Sequence, residues 1–344
     1  MSGRILLLIA LVAAAVAAIV GYRAMQWADG PVVPSDSHPP SQVVVIPDGA
    51  TFQQVASLLE QAKLIRSKSR LLMLGKSTGA DRRIISGEYE LSPAMAPKDI
   101  LAKIRAGQVI LHTITIPEGY SIAQMAEVLD IDDYVDAKEF LRLARDTSFV
   151  HSLGIEAPTL EGYLFPDTYR VARGTKAKDF IQTMVAKLWQ VFTPEWKTLA
   201  QTNHMTPHQV LTMASVIEKE TGAGQERRLI SAVFHNRLKK NIPLQSDPTV
   251  IYGLESFDGN IHKKDLSNPS PYNTYRVRGL PPGPIASPGA QSIEAALKPA
   301  DEPFLYFVSR NDGTHQFSST LVQHNEAVEK YQKKPFRRAA RPQA

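Results

Sequence analysis

Not one cysteine occurs among the 344 residues, which excludes disulfides and cysteine-ligated zinc but leaves the cellular compartment open. A strong charge of either sign is also missing. With 39 basic and 34 acidic residues the net charge is +5 and the pI about 9.2. That mild excess suits an anionic polymer or an acidic membrane surface. No stripe of Lys and Arg interleaved with aromatics marks a nucleic-acid binder, so no nucleic-acid partner is expected. HExxH, the P-loop, GxSxG and the glycine-rich dinucleotide fingerprint are all absent, and with them the commonest metal and cofactor sites. His204 and His208 are four apart but lack a matching carboxylate motif, so they read as a surface pair and not as metal ligands. We expect no metal and no cofactor. Apolar material is not lacking: 43% hydrophobic against 21% charged is enough for a core, and the length suits two modest domains or one with appendages.

The chain opens on 1-MSGRILLLIALVAAAVAAIVGYRAMQW-27, apolar without interruption from Ile5 to Val20 and extendable through Tyr22. This is long enough for a short membrane span and longer than the usual core of a cleaved signal peptide. An uncleaved anchor over residues 5–22 is expected. Arg4 favours a cytoplasmic N-terminus, and Tyr22 and Trp27 suit the outer interface. Residues 28–42 are rich in Pro and Ser and read as a semi-extended spacer.

Two later segments repeat one another: 43-VVVIPDGATFQQVASLL-59 and 113-TITIPEGYSIAQMAEVL-129. Each runs strand, Ile-Pro, acid, Gly, then Thr51 or Ser121 as the N-cap of a helix. A looser copy is 88-EYELSPAMAPKDILAKI-104. Such βα units resemble LysM-like modules. The expected class is α+β: an N-terminal transmembrane helix (1–27), a linker (28–42), a small LysM-like βα subdomain (43–110) and a mixed α+β domain (111–332). The basic stretch 333–344 is expected to be a disordered tail. Within the larger domain, 206-TPHQVLTMASVIEKETG-222 reads as a helix capped by Thr206, begun by Pro207 and stopped by Gly222. The Pro- and Gly-rich run 268–289 excludes a continuous helix and reads as a cleft wall.

That helix carries the candidate chemistry. Val210, Met213, Ala214 and Ile217 define its apolar stripe, and Glu218 and Glu220 lie on opposite flanks, each roughly 80° from the centre. Periodicity cannot choose between them, and either can reach a partly buried position where desolvation raises a carboxyl pKa. Acids at a helix C-terminus oppose the macrodipole, a local conflict of the kind found at functional sites. Ser215 and Lys219, one turn apart, have SxxxK spacing and are a weak alternative nucleophile pair.

The runs 160-LEGYLFPDTY-169, 214-ASVIEKETG-222, 243-PLQSDPTVIYG-253, 271-PYNTYRVRGLPPGPI-285 and 315-HQFSSTLVQHN-325, in this order along the chain, resemble the YceG-like family of endolytic murein transglycosylases. The resemblance covers about residues 43–330. It implies a single-pass inner-membrane protein with a periplasmic catalytic domain, working beside peptidoglycan synthases. Its implied reaction is internal cleavage of nascent glycan strands at MurNAc–GlcNAc bonds, leaving 1,6-anhydroMurNAc ends. Glu218 then maps onto the catalytic glutamate, acid first and base second, with Glu220 as a tuning neighbour. Gln245, Ser246, Asp247, Tyr272, Asn273 and Tyr275 are expected to line a glycan groove, joined by Tyr163 and by Glu161, the runner-up second carboxylate. Two other readings stand beside this one: a hydrolase pairing Glu218 with Asp247, Glu220 or Glu161, and a non-catalytic glycan-binding scaffold.

Overall fold

The computed structural model describes residues 3–34 and 37–333. The expected basic tail lies, from residue 334 on, outside the described residues. The chain forms two compact units: one ends at His112 and takes in Arg170–Gly174, and the other comprises Thr113–Tyr169 and resumes at Thr175.

The first unit begins with α1 (Gly3–Asp29). Leu11–Asp29 is long and apolar enough to cross a membrane by length and composition, the one such helix among the described residues. Strand β1 (Gln42–Ile46) pairs antiparallel with β2 (Gly87–Leu91), Val44 opposite Tyr89. Helices α2 (Phe52–Gln61), α3 (Lys68–Thr78) and α4 (Pro97–Arg105) accompany this hairpin. Alternation along β1 turns Val44 and Ile46 inward, onto Leu59, Leu64, Tyr89 and Ile100. Thr51 caps α2 in a capping box, as its spacing predicts, and Gly49 takes the positive φ that its turn requires. The Pro/Ser segment is not a free spacer over its first half. Val33 donates its amide to the Pro93 carbonyl (3.0 Å), and Arg66 reaches the Val32 carbonyl (3.2 Å).

The second unit contains strands β3 (His112–Thr115, counted from Thr113) and β4 (Thr168–Val171, to Tyr169), which the Ile116 amide links through the Asp167 carbonyl (3.0 Å). Between them run α5 (Ile122–Asp132), α6 (Ala137–Ala144) and α7 (Thr147–Ser152). Then come α8 (Ala177–Val191), α9 (Pro194–Thr202), α10 (Pro207–Glu220), α11 (Arg227–Lys239), α12 (Asp247–Tyr252) and α13 (Ala290–Leu297). A hairpin of β5 (Tyr306–Ser309) and β6 (His315–Ser318) and the helix α14 (Leu321–Val328) end it.

Helix α10 is the axis of this unit. The expected stripe is too narrow: every residue from Val210 to Ile217 is buried, so the helix is enclosed on all sides. Thr206 and Gln209 form its capping box and Pro207 its first turn, as expected, but Thr221, in extended conformation, ends it ahead of Gly222. Ser215 is wholly buried, accepting from the Ile285 amide (3.0 Å) and donating to the Thr212 carbonyl (2.8 Å). Lys219 instead donates to the Gly119 carbonyl (3.2 Å), so the Ser–Lys reading has no geometry behind it. Gly162, at φ 80°, lets Pro284 sit where a Cβ would be, which docks the 160s loop on the proline-rich run.

Candidate active site

The last turn of α10 carries its two glutamates into different surroundings. Two residues apart on a helix is about 200° of rotation, so their side chains leave on opposite sides.

Glu218 is enclosed. Its Oε1 accepts from Arg227 Nη2 at 3.1 Å and its Oε2 from the Gly289 amide at 3.0 Å, just ahead of α13. Arg227 is itself fixed, Nε donating to Ser292 (3.0 Å) and Nη1 to Gln291 (3.0 Å). Glu118, from the Ile-Pro-Glu-Gly turn, lies 3.9 Å from the same guanidinium. Burial, then the negative charge of Glu218, push the Glu118 carboxyl up, and Arg227 partly offsets them. The turn is held by Gly119 N to Ser287 O (2.8 Å) and Ser287 N to Tyr120 O (2.9 Å). The Glu118 carboxylate occupies the space beside Gly289 where a Cβ would stand.

Glu220 faces a polar loop. The Ser246 hydroxyl donates to its Oε1 at 2.5 Å, a charge-assisted distance. Burial, and behind it the nearby Asp247 charge, push the Glu220 carboxyl up to about 7, against the opposing effect of the Ser246 bond. Asp247 opens α12 and accepts from the Tyr275 hydroxyl at 2.6 Å, so it is more than a turn acid before Pro248. The 245–249 loop and the 273–275 loop are stitched together by Gln245 N to Thr274 O (3.1 Å), Ser246 N to Thr274 Oγ1 (3.0 Å) and Thr249 Oγ1 to Thr274 Oγ1 (2.8 Å). Gln245 takes a positive φ of 54°, uncommon for a residue with a side chain.

Sequence reasoning missed the residue that holds this loop. Arg237 is buried and has only neutral partners. Its Nη1 donates to the Pro243 and Leu244 carbonyls (3.0 and 2.9 Å) and to Gln245 Oε1 (3.1 Å), its Nε to the Leu305 carbonyl (2.7 Å). The guanidinium also lies 5.1 Å from the centre of the Tyr306 ring. Nothing in the local pattern of α11 distinguishes Arg237 from a solvated arginine. Glu118 had a visible signal, its place in the repeated turn.

Gln245, Ser246, Asp247 and Tyr275 are thus brought together around Glu220. Tyr272 is half-buried with its ring 4.7 Å from that of Tyr252. Three expected groove residues are closed off instead. Asn273 is fully buried, its amide donating to the Leu266 and Asn268 carbonyls and its Oδ1 accepting from the Tyr275 amide. Tyr163 is buried beside Trp189 and hydrogen-bonded to His208 Nδ1 at 2.8 Å. Glu161 is buried, accepting from the Ile122 amide (3.1 Å) and the Tyr252 hydroxyl (3.3 Å), and burial pushes it up to about 7. The amide and hydroxyl groups that predict sugar contacts serve equally well to close a loop on itself.

A cavity of about 950 Å³ lies at the opposite end of α10, lined by His204, His208, His235 and Lys239 among others, roughly 20 Å along the helix from the acids. His208 there donates or accepts at both ring nitrogens, to Tyr163 and to the Pro282 carbonyl (2.8 Å). Among the described residues no group of three His, Cys, Asp or Glu is arranged to hold a metal ion.

The YceG-like family model matches residues 44–330. An endolytic murein transglycosylase of Bacillus subtilis strain 168 is 36% identical over 302 residues, 83% of either chain. One from Streptococcus pneumoniae strain D39 is 30% identical over 341 residues, covering 90% of this chain, which in turn spans 62% of that relative's length. The crystal structure of a YceG-like protein of Listeria monocytogenes superposes with a TM-score of 0.58 at 35% identity, over 83% of this chain and 98% of that one.

Proposed function

The chain belongs to the YceG-like family, and from that premise we propose that it is an endolytic lytic transglycosylase of peptidoglycan. It cleaves nascent glycan strands at MurNAc–GlcNAc bonds and leaves 1,6-anhydroMurNAc ends. The acid–base role falls to Glu218, the residue the resemblance assigns, with Glu220 as its neighbour. The observation that carries this choice is the setting of Glu218 at the end of α10, where it and a second carboxyl, Glu118, flank the Arg227 guanidinium. A carboxyl oxygen that accepts one hydrogen bond keeps a second lone pair, so the Arg227 and Gly289 bonds do not close Glu218 to a substrate.

One carboxyl suffices for the reaction. Glycosidases that use water or a covalent intermediate need two. Here Glu218 gives its proton to the oxygen leaving C1 of MurNAc, and the sugar's own C6 hydroxyl attacks C1 as that bond breaks. The Glu218 carboxylate then takes the C6 hydroxyl proton, restoring itself. The attack is intramolecular and gains the corresponding proximity advantage. Arg227 orients the Glu218 carboxyl, and Ser246 holds Glu220 as the tuning neighbour. Gln245, Asp247, Tyr275 and Tyr272 form the sugar-contacting wall. The first unit is a LysM-like module, α1 is an uncleaved anchor with its N-terminus in the cytoplasm, the rest is periplasmic, and peptidoglycan synthases are the partners.

Mass spectrometry of products from intact glycan strands tests this. Wild type releases fragments one water lighter than hydrolysis products. Glu218→Gln leaves strands uncut, and Glu220→Gln still cuts when folded. The converse pattern moves the role to Glu220. Hydrated ends identify a two-carboxylate hydrolase, and uncut strands with wild type favour the scaffold reading.

A further inference from the structure

The apolar helix α1 ends against the most basic part of the first unit. Between Lys63 and Arg83 the sequence holds seven basic residues and one acid, Asp81. Helix α3 occupies the middle of that run and is fastened to the end of α1. Arg66 donates to the Trp27 carbonyl at 2.8 Å, and its guanidinium lies 4.6 Å from the centre of the Trp27 ring. Arg70 forms an ion pair with Asp29, the last residue of α1. These two cations are engaged within the fold, and the Lys68 amide is tied to Glu60 (2.7 Å). Lys63, Lys76, Arg82 and Arg83 are exposed.

The outer face of α3 is Ser69, Met73, Lys76 and Ser77, the exposed residues at helical spacing opposite buried Leu71 and Gly75. Met73 is 58% exposed, and its sulfur lies 3.9 Å from Arg70 Nη1. An open apolar side chain beside Arg70 therefore stands one contact away from Asp29, where the apolar helix ends.

We infer that this face of α3, with Lys63, Arg82 and Arg83, docks on anionic phospholipid headgroups of the leaflet from which α1 emerges. The inference rests on α1 being an uncleaved membrane anchor. Given that anchor, Asp29 and Trp27 lie at the membrane–water boundary, and the Arg66 and Arg70 contacts hold α3 within reach of it. A negative headgroup layer attracts cations there, and the attraction decays within a Debye length. Met73 adds an apolar contact at the depth where amphipathic helices lie. The first unit is then laid against the bilayer and not held away from it.

The chain's lack of cysteine makes the test direct, because Ser77→Cys takes a single fluorophore. The full-length labelled protein is placed in nanodiscs of phosphatidylcholine alone or mixed with phosphatidylglycerol, each carrying a headgroup-level quencher lipid. The expected result is several-fold stronger quenching in the anionic discs, abolished by high salt. It is also abolished by Lys63→Glu, Lys76→Glu, Arg82→Glu and Arg83→Glu together, all exposed and remote from the glutamate site in sequence. Circular dichroism checks the fold of that variant. Equal quenching in both discs overturns the inference while leaving the anchor intact. Equal quenching together with a label response to soluble peptidoglycan fragments assigns the patch to the cell-wall polymer and also overturns it. Protein that separates from the discs on gel filtration overturns the anchor reading itself.

Discussion

Glu218 and Glu220 share one helix turn and differ in everything that decides chemistry. Glu218 is closed in by an arginine, a backbone amide and a second acid. Glu220 meets a serine hydroxyl and an aspartate on a loop that faces the polar wall. The first site sets an arginine and a second carboxyl beside the acid; the second sets a hydroxyl and an aspartate there. Two acids that look interchangeable in sequence are thereby separated by which side of α10 they leave from. The lesson is that helix rotation, and not spacing along the chain, decides which partners each acid meets.

The largest expected effect breaks the comparison outright. Glu218→Gln keeps size but removes the proton, so the turnover number falls by roughly 10²–10⁴-fold. It also leaves the Arg227 guanidinium short of a counter-charge in a buried site, with Glu118 3.9 Å away as partial compensation. Denaturant unfolding should therefore report a loss of about 2–4 kcal/mol, and turnover is read on the folded fraction. Glu220→Gln keeps most of the Ser246 contact and should still cut glycan. A collapse of turnover in Glu220→Gln, with Glu218→Gln still cutting, would exchange the two roles.

Glu161 is the control for pKa alone. Burial raises it to about 7, like Glu220, but both its oxygens are occupied inside the fold. Its folded value lies above the unfolded one, so its contribution to stability is complete below about pH 4.3 and lost as pH rises through 7. By pH 8 the ionised form costs up to about 3 kcal/mol. Glu161→Gln should therefore raise the thermal midpoint relative to wild type at pH 8 and lose that advantage at pH 5, with turnover changed only a few-fold. A collapse of turnover there at unchanged stability would make Glu161 a second catalytic carboxyl.

Local chemistry carried well from sequence to structure. Thr51, Ser121 and Thr206 cap their helices through capping boxes, and the paired Ile-Pro-acid-Gly turns adopt the positive φ expected at Gly49 and Gly119. These depend on a few neighbouring residues. What the sequence could not disclose depends on contacts distant along the chain. Arg227 reaches 64 residues on to Gln291, and Arg237 68 residues on to Leu305, and no short window holds both partners. The all-round burial of α10 was hidden for the same reason, because Thr212 and Ser215 look polar until the helix's own carbonyls accept from both and the Ile285 amide donates to Ser215. Asn273 and Tyr163 misled in the opposite sense: polar and aromatic residues in an irregular segment are as good at closing that segment as at binding sugar.

The smallest effect sharpens the comparison most, because only one of the two glutamates predicts it. The Ser246 bond lowers the Glu220 pKa and the Asp247 charge raises it. If Glu220 supplies the proton, turnover falls as pH rises through about 7, and that limb belongs to a carboxyl whose neighbours can be edited separately. Ser246→Ala would then move the limb to higher pH and Asp247→Asn to lower pH, each by about one unit or less. Opposite displacements from two adjacent substitutions cannot come from general loosening of the loop, which would move both limbs the same way. Neither residue hydrogen-bonds Glu218, so with the proton on Glu218 the pH profile ignores both variants, and opposite displacements would hand the role to Glu220.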